Sequence, residues 1–101
     1  MFIAMNRFKI RLGMEHEFIN IWMQRESRLE DVVGFKSFNL LQGAEFENYT
    51  LFASHTVWET EQDFENWTKS DAFRKAHAQA GVKSKDVYLG PPQVECFNSV
   101  I

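Results

Sequence analysis

The sequence of 101 residues predicts an α+β fold in which two helices cover one face of a four-stranded sheet. Three patterns predict this fold: an N-terminal stretch whose side chains alternate as in a strand, two stretches with apolar residues at helical spacing, and two consecutive strands joined by a turn. Their order along the chain is β-α-β-β-α-β, the split βαβ of ferredoxin-like folds. At this length the whole chain, residues 1–101, is expected to form one domain.

The first strand is predicted over MFIAMNRFKI, residues 1–10. Strand alternation groups five side chains on one face: Phe2, Ala4, Asn6, Phe8 and Ile10. Asn6 is the polar member of this set, so its amide is expected to point inward. A structural hydrogen bond is the ordinary use of a buried amide. The alternative is a donor that contacts a molecule bound inside.

The first helix is predicted from Met14 to Leu29. Phe18, Trp22, Arg25 and Leu29 follow one another at positions i, i+4, i+7 and i+11, which is the spacing of one face of an amphipathic helix. We expect this face to lie against the sheet.

Three further strands are predicted, at residues 35–42, 49–58 and 94–101. The first two are joined by GAEFEN and are expected to form a hairpin, since the second is rich in β-branched and aromatic residues. The last follows a polar loop, residues 81–93, that contains glycine and proline. This loop is expected to be loosely ordered without a ligand and to border the entrance of a pocket.

The second helix is predicted over residues 60–80. On one straight helix, Trp67 and His77 would lie about 80° apart in azimuth and about 15 Å apart along the axis. Serine prefers the N-cap and aspartate the first turn, so the helix is predicted to stop near Ser70 and to start again at Asp71. A break there could bring the indole and the imidazole to one cavity.

Charge and composition exclude several classes of function. The chain carries 11 basic and 14 acidic residues, so no basic excess is available to neutralise phosphates, and nucleic acid is not an expected partner. No stretch approaches the roughly 18 apolar residues of a membrane helix. The single cysteine cannot form an internal disulfide. A cytoplasmic protein that does not associate with membranes is therefore expected.

The other polar candidates have ordinary structural explanations. The acidic run 59–65 is expected to be a solvated helix start, His16 to be exposed, and His55 to be half-buried on the third strand. Cys96 is expected to pack in the last strand. We find no pattern typical of a zinc site or of a hydrolase nucleophile.

The sheet face opposite the helices carries apolar residues such as Ile3 and Met5. Such a face is too apolar for the surface of a monomer, so it is expected to be covered by the sheet of a second copy. A homodimer follows, in which the same patch is used on both chains.

His77 is the second polar residue expected on an apolar face. A lone histidine in this position is ordinarily a core residue that is hydrogen-bonded to the backbone. Neutral imidazole is also the usual protein ligand of haem iron. The neighbours Ala76, Ala78 and Ala80 are small and would leave room for a flat macrocycle.

Four stretches carry a resemblance to a known family: MNRF, VVGFKSFNLL, HTVWET and FENWTKSDAFRKAH. Over nearly its whole length the chain resembles the IsdG-type haem-degrading monooxygenases, a branch of the antibiotic-biosynthesis-monooxygenase superfamily of dimeric α+β barrels. It is particularly similar to the proteobacterial members. Asn6, Trp67 and His77 match the three active-site positions of the family.

The resemblance implies that haem is both substrate and cofactor, with O2 and an external electron donor, and that ring opening releases iron. His77 would be the proximal ligand of the iron through Nε2. Asn6 would donate a hydrogen bond to dioxygen or water on the distal side, and Trp67 would press on the porphyrin and ruffle it. Arg25 would pair with a haem propionate, unless it is a solvated surface residue. Trp22 would be either a pocket wall or part of the core.

Two alternatives from other classes stay open. One is a cofactor-independent monooxygenase acting on a phenolic or quinone-like compound, for which His77 would not be needed to bind haem. The other is a non-enzymatic haem carrier or sensor, in which bound haem would not turn over.

Overall fold

The computed structural model describes residues 1–25, 29–75 and 86–101 of the chain. A short 3-10 turn, Leu29–Asp31, precedes the second strand, and residues 71–75 are helical as well. The main elements, in chain order, are β1 (Phe2–Arg11), α1 (Glu15–Met23), β2 (Phe35–Glu45), β3 (Tyr49–Trp58), α2 (Glu61–Thr68) and β4 (Gln93–Asn98). The ferredoxin-like α+β fold predicted from the sequence is confirmed.

The sheet has the strand order β2-β3-β1-β4, and every neighbouring pair is antiparallel. β1 is therefore a central strand. It pairs with β3 on one side and with β4 on the other, and not with β2, the next strand in the sequence. Its even-numbered side chains face the helices, as predicted. Phe2, Ala4, Phe8 and Ile10 are buried there, and Asn6 lies in the middle of the row.

The β2-β3 hairpin is confirmed, but β2 continues to Glu45 instead of ending at Gln42. The pairing register shifts between these two residues and resumes with Glu45 opposite Thr50. Gly43 lies at the shift, where the lack of a side chain makes a bulge easy to accommodate.

The first helix is shorter than predicted. α1 ends at Met23, whereas Leu29 belongs to the 3-10 turn, where it is 8% exposed. Leu29 still packs against the sheet. Its apolar character therefore matched the helical spacing although the residue lies outside α1. The sequence from Gln24 to Arg28 is polar and offers no apolar side chain that would hold a longer helix on the sheet.

The buried apolar residues form two groups, one at each end of the row on β1. The group nearer α1, here named the α1 core, consists of Phe8, Ile10, Phe18, Phe52 and Val87. The group nearer α2, here named the α2 core, consists of Phe2, Ala4, Leu29 and Trp58. Asn6 lies on β1 between the two.

The predicted break in the second helix is confirmed. α2 ends at Thr68, and the helical residues 71–75 follow after Ser70. The Ser70 hydroxyl donates to the Trp67 carbonyl (2.6 Å) and accepts from the Phe73 amide (3.2 Å). Ser70 thus closes one helix and caps the next.

The end of the predicted loop is anchored to the sheet. Residues 81–85 lie outside the described part of the chain, but Val87 is buried and its carbonyl accepts from the Arg11 amide (2.9 Å). Leu89 donates to the Lys9 carbonyl (2.9 Å). β4 starts at Gln93 and ends at Asn98, before the predicted end. None of the helices in the described ranges is long and apolar enough to span a membrane.

Candidate active site

A cavity of about 420 Å³ lies between the sheet and the helical layer, beside the two cores. This volume is within the usual range of small-molecule pockets. Its lining is mostly apolar and aromatic, and includes Leu29, Phe38, Phe64, Trp67 and Phe73. Few polar side chains reach it, so each of them is a candidate for contact with a ligand.

The cavity exists because side-chain size varies along the pair of central strands. The residues of β1 and β3 that face the helices are large at both ends and small in the middle. In order, the cross-strand pairs are Phe2–Trp58, Ala4–Thr56, Asn6–Ser54 and Phe8–Phe52. The two outer pairs fill the space under the helices, and the two middle pairs leave it open.

Asn6 lies at the floor of this cavity. Its side chain lines the space, while its Oδ1 is fully buried and has no hydrogen-bond partner within residues 1–25, 29–75 and 86–101. An unpaired buried amide oxygen is costly, and no described residue gives this amide the structural hydrogen bond that a buried asparagine ordinarily makes. Because Oδ1 is enclosed, the amide nitrogen is the end of the side chain that can reach the cavity.

Trp67 and its aromatic neighbours form the wall opposite the sheet. The Trp67 ring lies 5.5 Å from that of Trp58 and 4.8 Å, edge to face, from that of Phe73. Trp58 is fully buried, and its Nε1 donates to the Thr56 hydroxyl (3.0 Å). The hydroxyl in turn donates to the Ala4 carbonyl (3.1 Å). This chain of hydrogen bonds fixes the ring against which Trp67 packs.

Arg25 reaches the cavity from the residue after the α1 C-cap, rather than from within a helix. It lines the cavity, and its Cζ lies 4.1 Å from the centre of the Trp22 ring. Burial lowers the pKa of the Arg25 guanidinium, an effect that Tyr88 partly opposes. The group nevertheless stays charged at neutral pH. Arg25 is thus half-buried and lines the cavity rather than lying fully in solvent.

Trp22 belongs to both the cavity and the core. It packs against the α1 core and stacks on Phe38 at 5.5 Å, and both rings line the cavity. Its Nε1 is buried and donates to no acceptor among the described residues. The two possibilities for Trp22, pocket wall and core, therefore both hold.

His77, with its alanine neighbours, lies outside the described residues. Of the candidates from the sequence, Asn6, Trp22, Arg25 and Trp67 converge on one cavity. Ser54 and Thr56 also line it and were missed. The alternation in YTLFASHTVW already grouped them on one face, but only the pairing register puts Ser54 opposite Asn6.

The remaining candidates lie away from the cavity. His16 is exposed and His55 half-buried, as predicted. Thr60 caps α2 by accepting from the Asp63 amide (3.1 Å). Glu59, Glu61 and Glu65 are exposed at this helix start, as predicted, whereas Asp63 is half-buried. Cys96 was expected to pack but is exposed, because β4 is an edge strand. In the part of the chain that the structure describes, no three acidic, histidine or cysteine side chains form a metal-binding group.

The sequence matches one protein family and is similar to individual proteins of known name. A family model described as antibiotic biosynthesis monooxygenase matches residues 1–79. The heme oxygenase (staphylobilin-producing) of Staphylococcus haemolyticus is 35% identical over 78 residues, which are 76% of this chain and 73% of the relative. The heme-degrading monooxygenase of Shouchella clausii is 31% identical over 98 residues, which are 97% of this chain and 89% of the relative.

Solved structures share the fold. The heme-degrader MhuD from Mycobacterium tuberculosis, which was solved with two hemes in its active site, has a TM-score of 0.74 at 24% identity and covers 100% of this chain and 97% of its own. SnoaB from Streptomyces nogalater, a cofactor-independent oxygenase, has a TM-score of 0.71 at 16% identity, with 97% and 91% covered. The same fold therefore occurs in oxygenases with and without haem.

Proposed function

The chain belongs to the antibiotic biosynthesis monooxygenase family, and we propose that within this family it is a haem-degrading monooxygenase. The names of two relatives at 35% and 31% identity support this activity. The observation that carries the proposal is the convergence of Asn6, Trp67 and Arg25 on one mostly apolar cavity.

The described residues fit haem in three respects. The aromatic and aliphatic lining suits a flat apolar ring. Arg25 supplies a cation beside that lining, which suits a propionate carboxylate. Asn6 offers an amide nitrogen at the floor, with its oxygen enclosed. This combination is less suited to a ligand that carries positive charge.

Each residue has a proposed role. His77 would be the protein ligand of the haem iron, and the Asn6 amide would donate a hydrogen bond to a small ligand in the cavity. Trp67 would contact the bound ring and could distort it, because the Trp58 ring packs behind the Trp67 indole and limits its movement. Arg25 orients the ring through a propionate. The chemistry that haem brings is oxidative ring opening with O2 and electrons from an external donor, with release of iron.

A cofactor-independent oxygenase is the second candidate. The fold is shared with SnoaB, and a cavity of about 420 Å³ would also accept a phenolic or quinone-like compound. A haem carrier with the same pocket is the third. The cofactor-independent oxygenase would not need to bind haem. The carrier would bind haem but would not degrade it.

Titration with haemin followed by ascorbate tests the three functions. The proposal expects a saturable Soret band at one haem per chain, followed by loss of that band after ascorbate is added in air. Catalase in the assay removes free peroxide as a cause of bleaching. Saturable binding without loss of the band would identify a carrier. No saturable binding would leave the cofactor-independent oxygenase.

We also propose that the chain is a single domain and that two copies form a homodimer in the cytoplasm. A reductase or a small-molecule reductant would supply the electrons. The face of the sheet away from the helices carries Ile3, Met5, Val57 and Phe97 at adjacent register positions. Phe97 is 47% exposed in the single chain. A second copy would remove this apolar face from water.

A further inference from the structure

Ser54 is a polar residue of the cavity floor that none of the roles above requires. It is 5% exposed and lines the cavity. The register puts it directly opposite Asn6 in the antiparallel ladder, where paired Cβ atoms are about 4.5–5.5 Å apart. The other neighbours of Asn6 on this face are apolar: Ala4 and Phe8 along β1, and Val94 on β4.

Thr56 shows what a hydroxyl on this face does when its role is structural. It lies two residues from Ser54 on the same face of β3, and its hydroxyl both donates to Ala4 and accepts from Trp58. The Ser54 hydroxyl makes no such bond with any described residue. Unlike Asn6 Oδ1, the Ser54 Oγ is not a fully enclosed atom, so the hydroxyl can form a hydrogen bond with a ligand or a bound water in the cavity that Ser54 lines.

We propose that Ser54 and Asn6 together form a two-point hydrogen-bonding site for one small oxygen ligand, such as water or dioxygen, at the floor of the cavity. The Asn6 amide nitrogen donates one hydrogen bond and the Ser54 hydroxyl provides the other. Two donors from adjacent strands fix the position of the ligand, whereas one donor fixes only its distance. That this ligand lies beside haem rests on the proposed function.

The first test does not require haem. In a crystal structure of the ligand-free protein, one ordered water should lie within about 3 Å of both Asn6 Nδ2 and Ser54 Oγ. The same water should be displaced or lost in Ser54→Ala. A Ser54 hydroxyl that donates to a backbone carbonyl instead, with no water shared with Asn6, would overturn the proposal. This result decides the matter even if the protein takes up no haem.

The second test uses fluoride as a probe of hydrogen-bond donors in the ferric haem-loaded protein. Ser54→Ala should raise the fluoride Kd about fivefold, which corresponds to about 1 kcal/mol, and should shift the charge-transfer band of the fluoride complex. Ser54→Thr, which keeps the hydroxyl on a β-branched side chain, should restore tight fluoride binding.

Ser37→Ala is the matched control, since Ser37 is exposed on β2 and pairs with a residue that faces away from the helices. Its fluoride Kd should equal that of the wild type. In the double variant Asn6→Ala/Ser54→Ala, the rise in fluoride Kd should differ from the product of the two single effects, because neighbouring residues that share one ligand are energetically coupled. If Asn6→Ala weakens fluoride binding and Ser54→Ala does not, Ser54 is not part of the site. Failure to bind haem at all would instead refute the proposed function.

Discussion

α1 and α2 cover the same face of one sheet, yet they relate to it differently. Phe18 of α1 is fully buried, with its ring 4.9 Å from that of Phe52 and 5.2 Å from that of Phe8. α2 has no fully buried residue, and Phe64 and Trp67 turn their rings toward the cavity. One half of the helical layer therefore packs on the sheet through a fully buried ring, whereas the other packs through partly buried rings that also line the cavity.

The difference originates in the sheet and not in the helices. Large side chains on β1 and β3 meet α1, whereas small ones lie under the cavity, where Ala4, Asn6, Ser54 and Thr56 face the helices. The two halves should therefore respond differently to substitution. Changes around the cavity should alter chemistry at nearly constant stability, and changes in the α1 core should do the reverse.

The largest effect is expected at the cavity. His77→Ala should abolish haem turnover and shift or remove the Soret band, because the iron loses its protein ligand. Asn6→Ala should still bind haem, while turnover falls by about tenfold or more, the scale of one hydrogen bond to a charged group. Trp67→Ala should bind a flatter haem and degrade it poorly, and Trp67→Phe should keep part of the activity.

Turnover with ascorbate in air and resonance Raman spectra of the ring would measure these effects. Urea denaturation of Asn6→Ala should give a midpoint close to that of the wild type. If Asn6→Ala degrades haem at the wild-type rate while His77→Ala binds it with an unchanged spectrum, the proposed function is wrong.

The next effect is expected in the α1 core. Phe18→Ala should cost about 3–5 kcal/mol, since it removes a fully buried ring from a packed group. That is a large share of the usual stability of a small domain. Phe73→Ala, at the half-buried cavity wall, should cost about 1 kcal/mol. Urea unfolding measures both, and equal costs would contradict the division into two halves.

The outer face of the sheet should behave as a third region. The wild-type protein is expected to sediment as a dimer at micromolar concentration, and Ile3→Glu to sediment as a monomer, because a charge would enter the apolar interface. Met23→Glu is the control, since Met23 is 77% exposed on α1. If the wild-type protein sediments as a monomer, the proposal that a second copy covers the apolar face is wrong.

The smallest effect is expected at the start of α1. The Glu15 carboxylate accepts backbone hydrogen bonds and one from the Thr50 hydroxyl (2.8 Å), and these lower its pKa. A lowered folded-state pKa means stability that is present above the ordinary value of 4.5 and is lost as the pH falls through the lower value. In Glu15→Gln, the melting temperature should therefore fall less steeply with decreasing pH below 4.5 than it does in the wild type. An unchanged slope would show that the interaction contributes nothing.

Local rules predicted the features that depend on neighbouring residues. Alternation oriented Asn6, and the capping preference of serine placed the break at Ser70. Features that depend on contacts between residues far apart in the sequence could not be predicted from local rules. The periodicity through Leu29 reflected burial in a shared core, and did not distinguish a helix from a 3-10 turn. The position of Ser54 beside Asn6 depends on the pairing of β1 with β3, which the sequence of either strand alone does not specify.

The central position of β1 also has a consequence for how the chain folds. The β2-β3 hairpin closes a short loop, whereas Phe2 pairs with Trp58 on one side and with Asn98 on the other. Closing long loops costs more entropy and slows folding, so we expect the hairpin to gain protection from amide exchange before β1 is inserted. The floor of the cavity is shared between β1 and β3. If β1 is inserted last, the cavity floor is complete only after that step, so we expect a ligand to stabilise the folded protein without speeding the formation of the hairpin.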